Sequence, residues 1–182
     1  QKEFNQKKED IIKISKKTDG QADSALKLIE KVDNNNPLLI HSSDCILDKN
    51  IKIEIQNFDI IVFTKSGYRR AFEEYKNYGW INSKKDEIIS LSIKSSPRSK
   101  DSNVIIGTFL FKNKKIYQEL YTETKKQKTT GEIHIDHLIE TALEKGFKVK
   151  EVSSNKSVML GVPVEYKLFN YMKHVYYYLK NK

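Results

Sequence analysis

Two short stretches of this chain carry residue types that suit a nucleotide and a metal ion. Asp19-Gly20-Gln21-Ala22 opens a helical pattern, and the apolar run 38–42 leads to an acid, Asp44. A helix N-terminus offers free N–H groups to a phosphate or a nucleobase carbonyl, and Gly20 has no side chain to block a close approach. Gln21 can donate and accept hydrogen bonds at a base edge. A carboxylate after a buried strand suits Mg²⁺, which uses one or two carboxylates together with substrate phosphates.

Each of these features also has an ordinary structural interpretation. Gly20 fits a turn before a capped helix, and Asp44 fits a turn or an N-cap. Without the family resemblance, Lys94 at a strand end and Glu132 at a helix start fit exposed surface positions better than ligand contacts. A ligand site is favoured by five glycines at strand ends or turns, where a ligand could approach the backbone: Gly20, Gly79, Gly107, Gly131 and Gly161.

The other reactive residue types form no catalytic constellation. His134 and His137 lie three residues apart on a predicted helix and could share a metal, but no cysteine or third histidine joins them. His41 lies within an apolar run and fits a core histidine, and Cys45 fits packing at least as well as a nucleophile. No triad of nucleophile, base and orienting acid is visible.

The positive charge of the chain is distributed in a way that does not indicate a nucleic-acid groove. The 182 residues carry a formal net charge of +9. Nucleic-acid grooves gather Lys and Arg on one face with stacking aromatics between them. Here the lysines are spread along the whole chain, and the only arginines are Arg69, Arg70 and Arg98. We expect a solvated surface without a nucleic-acid partner, whose field can still steer phosphorylated small molecules.

The cysteine content and the lengths of the apolar runs indicate in which cellular compartment the protein lies. Its single cysteine rules out an internal disulfide framework and fits a reducing compartment, so we expect a cytoplasmic protein. No apolar run approaches the length of a transmembrane helix, and the first residues have no signal-peptide core. We therefore expect no membrane span.

Hydrophobic periodicity predicts the elements that must position the candidate residues. Residues 10–14 are predicted to form a short strand, and Thr18 with Gln21 is predicted to form the capping box of a helix that continues to Val32. The apolar runs 38–42 and 58–64 are typical of buried parallel strands. A strand, a helix and a strand with short links predict a βαβ unit.

The rest of the chain predicts further strands alternating with helices. Strands are predicted at 79–82 and 87–93, paired around the turn 83–86, and at 104–111, 147–152 and 157–160. Helices are predicted at 113–123, before a mobile loop 125–131, and from Ile135 to a stop at Gly146. A closing helix after Pro163 is predicted to bury a stripe of apolar residues: Leu168, Met172, Val175, Tyr176 and Leu179. We expect a single α/β domain over 1–182.

The order of seven short motifs resembles the sugar-phosphate nucleotidyltransferases, including their choline-phosphate cytidylyltransferase-like members. Together the motifs cover essentially the whole chain. They are Asp19-Gly20-Gln21-Ala22, the strand leading to Asp44, Tyr78-Gly79-Trp80, Lys94, Gly107-Thr108-Phe109-Leu110-Phe111, the helix start from Gly131-Glu132 to Asp136, and Leu160-Gly161-Val162-Pro163. The resemblance implies a Rossmann-like mixed, mostly parallel sheet sandwiched by helices.

The resemblance also implies a reaction. A sugar 1-phosphate or similar phosphomonoester would attack the α-phosphate of an NTP and release pyrophosphate, in the service of cell-envelope or capsule polysaccharide synthesis. Gly20 and Gln21 would contact the nucleotide base, and Asp44 would act as a catalytic residue by holding Mg²⁺. The acceptor side would be lined by a second set that includes a catalytic lysine: Tyr78, Gly79, Lys94, Gly107 and Glu132.

The chain departs from the family pattern in three places. The glycine-rich signature that grips the triphosphate does not occur in residues 1–182, so we expect an upstream portion of the domain and poor activity without it. Met159 stands where many members carry an aspartate, which leaves the second metal ligand unassigned. Ile93 replaces the usual glutamate before Lys94.

Three other classes of protein remain alternatives. A non-catalytic module of the same fold that senses a nucleotide or nucleotide sugar is favoured by Met159 and Ile93 and opposed by Asp44 and Glu132. A glycosyltransferase would need a D-x-D metal motif, whereas Asp44 is followed by Cys-Ile. A nucleic-acid binder is the weakest alternative. The oligomeric state stays open, and a homo-oligomer is compatible with the sequence.

Overall fold

The computed structural model describes residues 12–31, 35–54, 56–128 and 130–180. The described residues form four α-helices: α1 (Gln21–Ile29), α2 (Lys114–Gln127), α3 (Ile135–Glu144) and α4 (Pro163–Lys180). They also form eight strands: β1 (Leu38–His41), β2 (Cys45–Ile46), β3 (Ile60–Lys65), β4 (Gly79–Lys84), β5 (Glu87–Ile93), β6 (Asn103–Phe111), β7 (Val149–Ser153) and β8 (Val158–Met159). Of the strand predicted at 10–14, residues 12–14 are not in a strand and the rest lies outside the described residues, as does Val32.

Six of the strands form one mixed sheet in the order β1-β6-β3-β7-β5-β4, and β2 pairs separately with β8. Strands β1, β3, β4 and β7 run in one direction, and β5 and β6 run in the other. The expected mixed α/β class is confirmed. The expectation of a mostly parallel sheet is wrong, because β3–β7 is the one parallel pairing among the six strand pairings that the structure describes in this sheet, and the others are antiparallel.

Two details of the sheet differ from the expectation. β1 and β3, which correspond to the apolar runs 38–42 and 58–64, do run parallel, but β6 lies antiparallel between them, so they are not hydrogen-bonded neighbours. The predicted βαβ unit lacks its first strand among the described residues, because residues 12–14 before α1 are not in a strand. The parallel neighbours are β3 and β7. Short apolar strands carry no information about which strand becomes their neighbour, because a buried strand can pair on either edge.

The helices cover one face of the sheet. Residues alternate along β3, so that Ile60 and Val62 pack beneath α1, α2 and α3. Ile61 and Phe63 point to the other face, where they meet Leu47 and Met159 and other partly buried residues. In the described part of the chain that second face is covered by the 47–51 segment, β8 and the segment 68–75 rather than by α1, α2 or α3, which is the second difference from the expected layering.

Local signals explain several of the element boundaries. The β4–β5 hairpin turns through Lys85 and Asp86, which have positive φ angles of 51° and 65° as a two-residue type I′ turn requires. Helix α3 ends as expected before Gly146, whose φ of 79° belongs to a left-handed C′ residue. Helix α2 begins at a cap in which Asn113 accepts a hydrogen bond from Ile116. It continues to Gln127, so the first three residues of the loop predicted at 125–131 are helical.

Helix α4 corrects the expectation of a buried stripe. Glu165 is its buried residue, whereas Leu168, Met172 and Leu179 are 53%, 56% and 65% exposed. The spacing of these residues does place them on one side of the helix. The hydrophobic periodicity shows that one face of a helix is apolar. It does not show whether another element of the fold packs against that face. None of the helices in the described residues is long and apolar enough to cross a membrane.

Candidate active site

A cavity of about 350 Å³ opens beside the middle of β6, between the residues that follow β1 and β5, those that precede β4 and the start of α3; we call it the cleft. Five of the eight residues predicted for the site line it: Gln21, Asp44, Tyr78, Lys94 and Gly107. The lining also contains residues that were not among the predicted site residues, including Ser42, Cys45, His134, Asp136, Met159 and Gly161. The fold thus brings together side chains from positions more than a hundred residues apart.

A bulge in β6 shapes one wall of the cleft. The register between β3 and β6 shifts between Phe63 and Thr64, and the shift leaves Gly107 unpaired with β3. Gly107 has a φ of 70°, and a Cβ added there would lie 2.8 Å from the Cβ of Ser42. Its carbonyl accepts a hydrogen bond from the Ser42 backbone N–H at 2.9 Å. The glycine therefore allows the end of β1 to approach closely, as bulge glycines do.

Asp44 lies exposed at the cleft, on the turn between β1 and β2. The hydroxyl of Ser42 donates a hydrogen bond to its carboxylate, and its carbonyl accepts one from Leu160 at 2.8 Å. The β2–β8 pair places Met159 opposite Cys45, next to Asp44. A Cβ added at Gly161 would lie 3.0 Å from an Asp44 carboxylate oxygen, so the glycine leaves room on this side of the carboxylate.

The donor set at Asp44 fits a magnesium ion that arrives with a nucleotide. Within the described residues, no group of three or more His, Cys, Asp or Glu side chains is arranged to hold a metal. Met159 lines the cleft beside Asp44 and offers no oxygen ligand. One carboxylate together with phosphate oxygens and water is a common Mg²⁺ environment, so Asp44 would hold the ion jointly with the triphosphate.

Tyr78 is held rigidly at the cleft by a buried carboxylate from α4. Its hydroxyl donates to Glu165 at 2.9 Å, and the hydroxyl of Tyr68 donates to the same carboxylate at 2.6 Å. Burial, followed by the Glu165 carboxylate, raises the pKa of Tyr68 to about 12 and raises that of Tyr78 as well. Both phenols stay protonated donors at neutral pH, and Tyr78 acts as a fixed wall of the site.

Lys94 adopts an unusual backbone conformation just after β5. Its φ of 48° lies in the left-handed region, where a residue other than glycine carries strain. Its backbone N–H donates to the Tyr78 carbonyl at 3.1 Å, and its ammonium lies 2.8 Å from Nε2 of His134. A strained lysine at the edge of a cavity is a feature that functional sites often show.

Asp136 is a cleft residue that the predicted set did not include, although it closes the quoted motif that begins at Gly131. A Cβ added at Gly79 would lie 2.5 Å from its Oδ2, so Gly79 leaves room for this carboxylate behind the wall of the cleft. Burial raises the pKa of Asp136 to about 6, although the nearby Lys94 ammonium lowers it. A carboxylate that costs stability in a cavity is a candidate for function.

We expect Asp136→Asn to stabilise the protein at neutral pH by about 1–2 kcal/mol, because the neutral amide avoids the desolvation of a carboxylate. The folded-state pKa lies above the unfolded value, so the gain is full above pH 6 and vanishes below about 3.8. Chemical denaturation across this range measures the difference. Glu140→Gln, at an exposed position on the same helix, is the control and should change little. A gain in stability that is the same at every pH would show that the charge of Asp136 is not its cause.

Gly20 and Gln21 connect α1 to the start of α3. Gly20 does not line the cleft: its α-carbon faces the backbone of Ile133, where an added Cβ would lie 2.8 Å from both the N and the O atoms. Gln21 does line the cleft, and its Oε1 accepts a hydrogen bond from Ile135 N–H at 3.4 Å. The helix N-cap is Gly20, and the predicted Thr18 capping box is replaced by a hydrogen bond between Thr18 and Ser24 at 2.8 Å.

Glu132 is exposed and lines a second cavity beside the cleft. The two cavities share Lys94 and His134. Neither Glu132, Gly20 nor Gly79 contributes to the lining of the cleft itself, although Gly79 lies directly behind Asp136. Whether each predicted residue contacts a ligand stays a prediction.

Comparison with solved structures identifies this fold. The chain superposes with a TM-score of 0.68 and 22% identity on the nucleoside-diphosphate-sugar pyrophosphorylase from Vibrio cholerae, covering 86% of this chain and 66% of that one. It superposes on the inositol-1-phosphate CTP transferase from T. maritima with a TM-score of 0.62 and 15% identity, covering 80% and 57%. A protein from Bacillus anthracis assigned as a glucose-1-phosphate thymidylyltransferase gives a TM-score of 0.63 and 21% identity, covering 88% and 63%.

The chain therefore has the fold of the sugar-phosphate nucleotidyltransferases, as its motif order predicts. It spans between 57% and 66% of the length of these three structures. No family model matches the sequence, and no curated protein does.

Proposed function

We propose that this protein is a Mg²⁺-dependent nucleotidyltransferase that transfers an NMP group from an NTP to a sugar 1-phosphate or a similar phosphomonoester. An oxygen of the acceptor phosphate would attack the α-phosphorus, the bond from that phosphorus to the bridging oxygen would break, and pyrophosphate would leave. Such a reaction depends on positioning and charge neutralisation more than on covalent catalysis. The observation that carries the proposal is the convergence of Gln21, Asp44, Tyr78 and Lys94 on one cleft in this fold.

Each of these residues has a role that its position supports. Gln21 would contact the nucleotide base from the start of α1, and the amide remains partly free because it accepts only a long hydrogen bond. Lys94 would bind the acceptor phosphate, since its ammonium lies at the edge shared by both cavities. Asp44 would hold Mg²⁺ with the triphosphate. The ion, when bound, neutralises phosphate charge and stabilises the departing pyrophosphate.

The biological setting follows from the product class. Nucleotide sugars are activated donors for polysaccharides, and we place the reaction in the cytoplasm, in the supply of cell-envelope or capsule synthesis. The solved structures that share this fold include proteins named for reactions of nucleotide sugars or sugar phosphates, which supports a sugar phosphate as the acceptor.

The second candidate is a non-catalytic module that binds a nucleotide or nucleotide sugar in the same cleft. It is favoured by Met159, which occupies the position beside Asp44 where a second carboxylate ligand would be useful. A single carboxylate suffices for a metal–nucleotide complex but holds it less firmly than two.

One experiment separates the two candidates. The longest chain that the gene encodes is incubated with Mg²⁺, each NTP in turn and a panel of phosphomonoesters, and pyrophosphate release is measured beside nucleotide binding by calorimetry. Release with one pair supports the transferase, and binding without release in any pair supports the module. If no NTP or nucleotide sugar binds and nothing is released, both candidates are rejected.

A further inference from the structure

A second cavity, of about 410 Å³, lies next to the cleft and is rich in basic side chains; we call it the lysine–histidine pocket. It is lined by Ile93, Lys94, Lys128, Glu132, His134 and His137. The side chains come from the end of β5, the end of α2 and the start of α3, so the pocket exists only because these three ends meet.

The pocket contains two pairs, each formed by a lysine ammonium and an imidazole. The Nζ of Lys94 lies 2.8 Å from Nε2 of His134, and the Nζ of Lys128 lies 2.6 Å from Nε2 of His137. The two imidazole rings stack with centroids 5.6 Å apart and an interplanar angle of 21°. Four nitrogen atoms that can donate hydrogen bonds therefore face one small volume.

The hydrogen bonds of His137 place a donor against a donor. Its Nδ1 accepts the backbone N–H of His134 at 3.0 Å, so a neutral ring must carry its proton on Nε2. That Nε2–H faces the Lys128 ammonium, which has no lone pair to accept it. An acceptor atom that bridges the two groups, with the flexible Lys128 side chain moved away from the ring, would remove the conflict by taking a hydrogen bond from each.

The charges of the pocket also lack a counterion. Within the residues that the structure describes, neither Lys94 nor Lys128 forms an ion pair with a carboxylate. Glu132 is the acid of the pocket and is exposed. Burial, followed by Lys128, the His134 ring and Lys94, lowers the pKa of His137 to about 4. The pKa of His134 is also lowered, by burial and then by Lys94, with Glu132 opposing.

We propose that the lysine–histidine pocket binds a phosphate-class oxyanion, which accepts hydrogen bonds from Lys94, Lys128 and Nε2–H of His137. A phosphoryl group carries three oxygen acceptors, one for each of these three donors, and about two negative charges, which the two ammonium groups can balance. Binding requires no nucleotide transfer, so the site stands or falls independently of the proposed reaction. Its occupant is either the phosphoryl group of an acceptor or free phosphate.

The test uses inorganic phosphate as the probe and the full chain with ¹⁵N-labelled histidine. Phosphate is titrated at pH 7 and constant ionic strength against chloride, and the ring resonances of His134 and His137 are followed by NMR. His134→Gln and His137→Gln assign the two signals. We expect a saturable shift of both rings and a rise in the pKa of His137, because a bound dianion favours the imidazolium.

The matched variants are Lys128→Ala and Lys126→Ala. Lys128 faces the pocket, whereas Lys126 is exposed on the same helix and pairs with Glu123 at 2.8 Å. Loss of one charge-assisted donor should weaken phosphate binding about tenfold in Lys128→Ala and leave Lys126→Ala unchanged. Lys128→Gln serves as a second variant if the alanine variant unfolds. No saturable shift, an equal response to chloride, or equal losses in both variants would overturn the proposal.

A parallel titration with glucose 1-phosphate identifies the source of the anion. Tighter binding than inorganic phosphate assigns the pocket to the phosphoryl group of an acceptor. Equal or weaker binding assigns it to free phosphate, and both results support the anion site itself.

Discussion

Replacement of Asp44 by asparagine is expected to lower the rate of nucleotide transfer by about two orders of magnitude or more. A bound metal supplies several kcal/mol of transition-state stabilisation, and the loss of its carboxylate ligand removes much of that. Asparagine is nearly isosteric and keeps an oxygen that accepts the Ser42 hydroxyl, so the local turn is preserved. The change therefore removes the charge of Asp44 and little else.

Two readouts make this prediction specific to the metal. Pyrophosphate release gives the rate, and a Mg²⁺ titration of nucleotide binding shows whether the variant requires more of the ion. Since no group of three or more His, Cys, Asp or Glu side chains in the described residues is arranged to hold a metal, Mg²⁺ should bind the wild-type chain measurably only together with the nucleotide. Asp101→Asn, at an exposed acid in the loop before β6, is the control and should keep both properties. An unchanged rate in Asp44→Asn would reject the metal assignment.

The largest effect on stability is expected from Gly20→Ala, which should reduce the free energy of unfolding by about 3–4 kcal/mol. Gly20 has a φ of 118°, and its added Cβ would lie 2.8 Å from two backbone atoms of Ile133, which cannot rotate away. Relief of the clash must separate the α1 turn from α3. This separation breaks the hydrogen bonds from Ala22 to Ile133 at 2.9 Å and from Ile133 to Asp19 at 2.8 Å.

Gly67→Ala isolates the contribution of that close approach. Gly67 also has a positive φ, 66°, but nothing lies within 4 Å of an added Cβ. In this control the free energy of unfolding should fall by only about 1 kcal/mol, which is the cost of placing alanine in the left-handed region. Thermal unfolding should separate the variants clearly, because each kcal/mol shifts the midpoint by about 2–4 °C in a protein of this size. Equal losses in the two variants would show that the contact with Ile133 does not limit stability.

The local signals of the sequence were reliable where one segment decides its own structure. The stop of α3 at Gly146 and the β4–β5 hairpin were predicted, since glycine at C′ and a polar turn between alternating strands act within a few residues. The motif order also predicted the fold, and five of the eight residues that it assigned to the site line the cleft. The motifs are more informative than hydrophobic periodicity alone, because their order along the chain follows the order of the strands and helices in the fold.

The predictions were wrong where they depended on which other strand or helix an element packs against. The pattern of β1 indicated burial but not that β6 would lie between it and β3. The stripe on α4 indicated an apolar face, and in the structure that face is exposed. In both cases a local pattern records which side of an element avoids water, whereas the choice of neighbour depends on packing across the whole chain.

By itself, the sequence determined the mixed α/β class and the presence of Asp44 and Lys94 just after strands. Only the tertiary structure decided that Asp136 lies in the cleft behind Gly79, and that Lys128 meets His137 beside it. The physical reason is that burial, pKa and hydrogen-bond conflict are properties of side chains from separate segments. In this protein they arise only when the end of β5, the end of α2 and the start of α3 pack together.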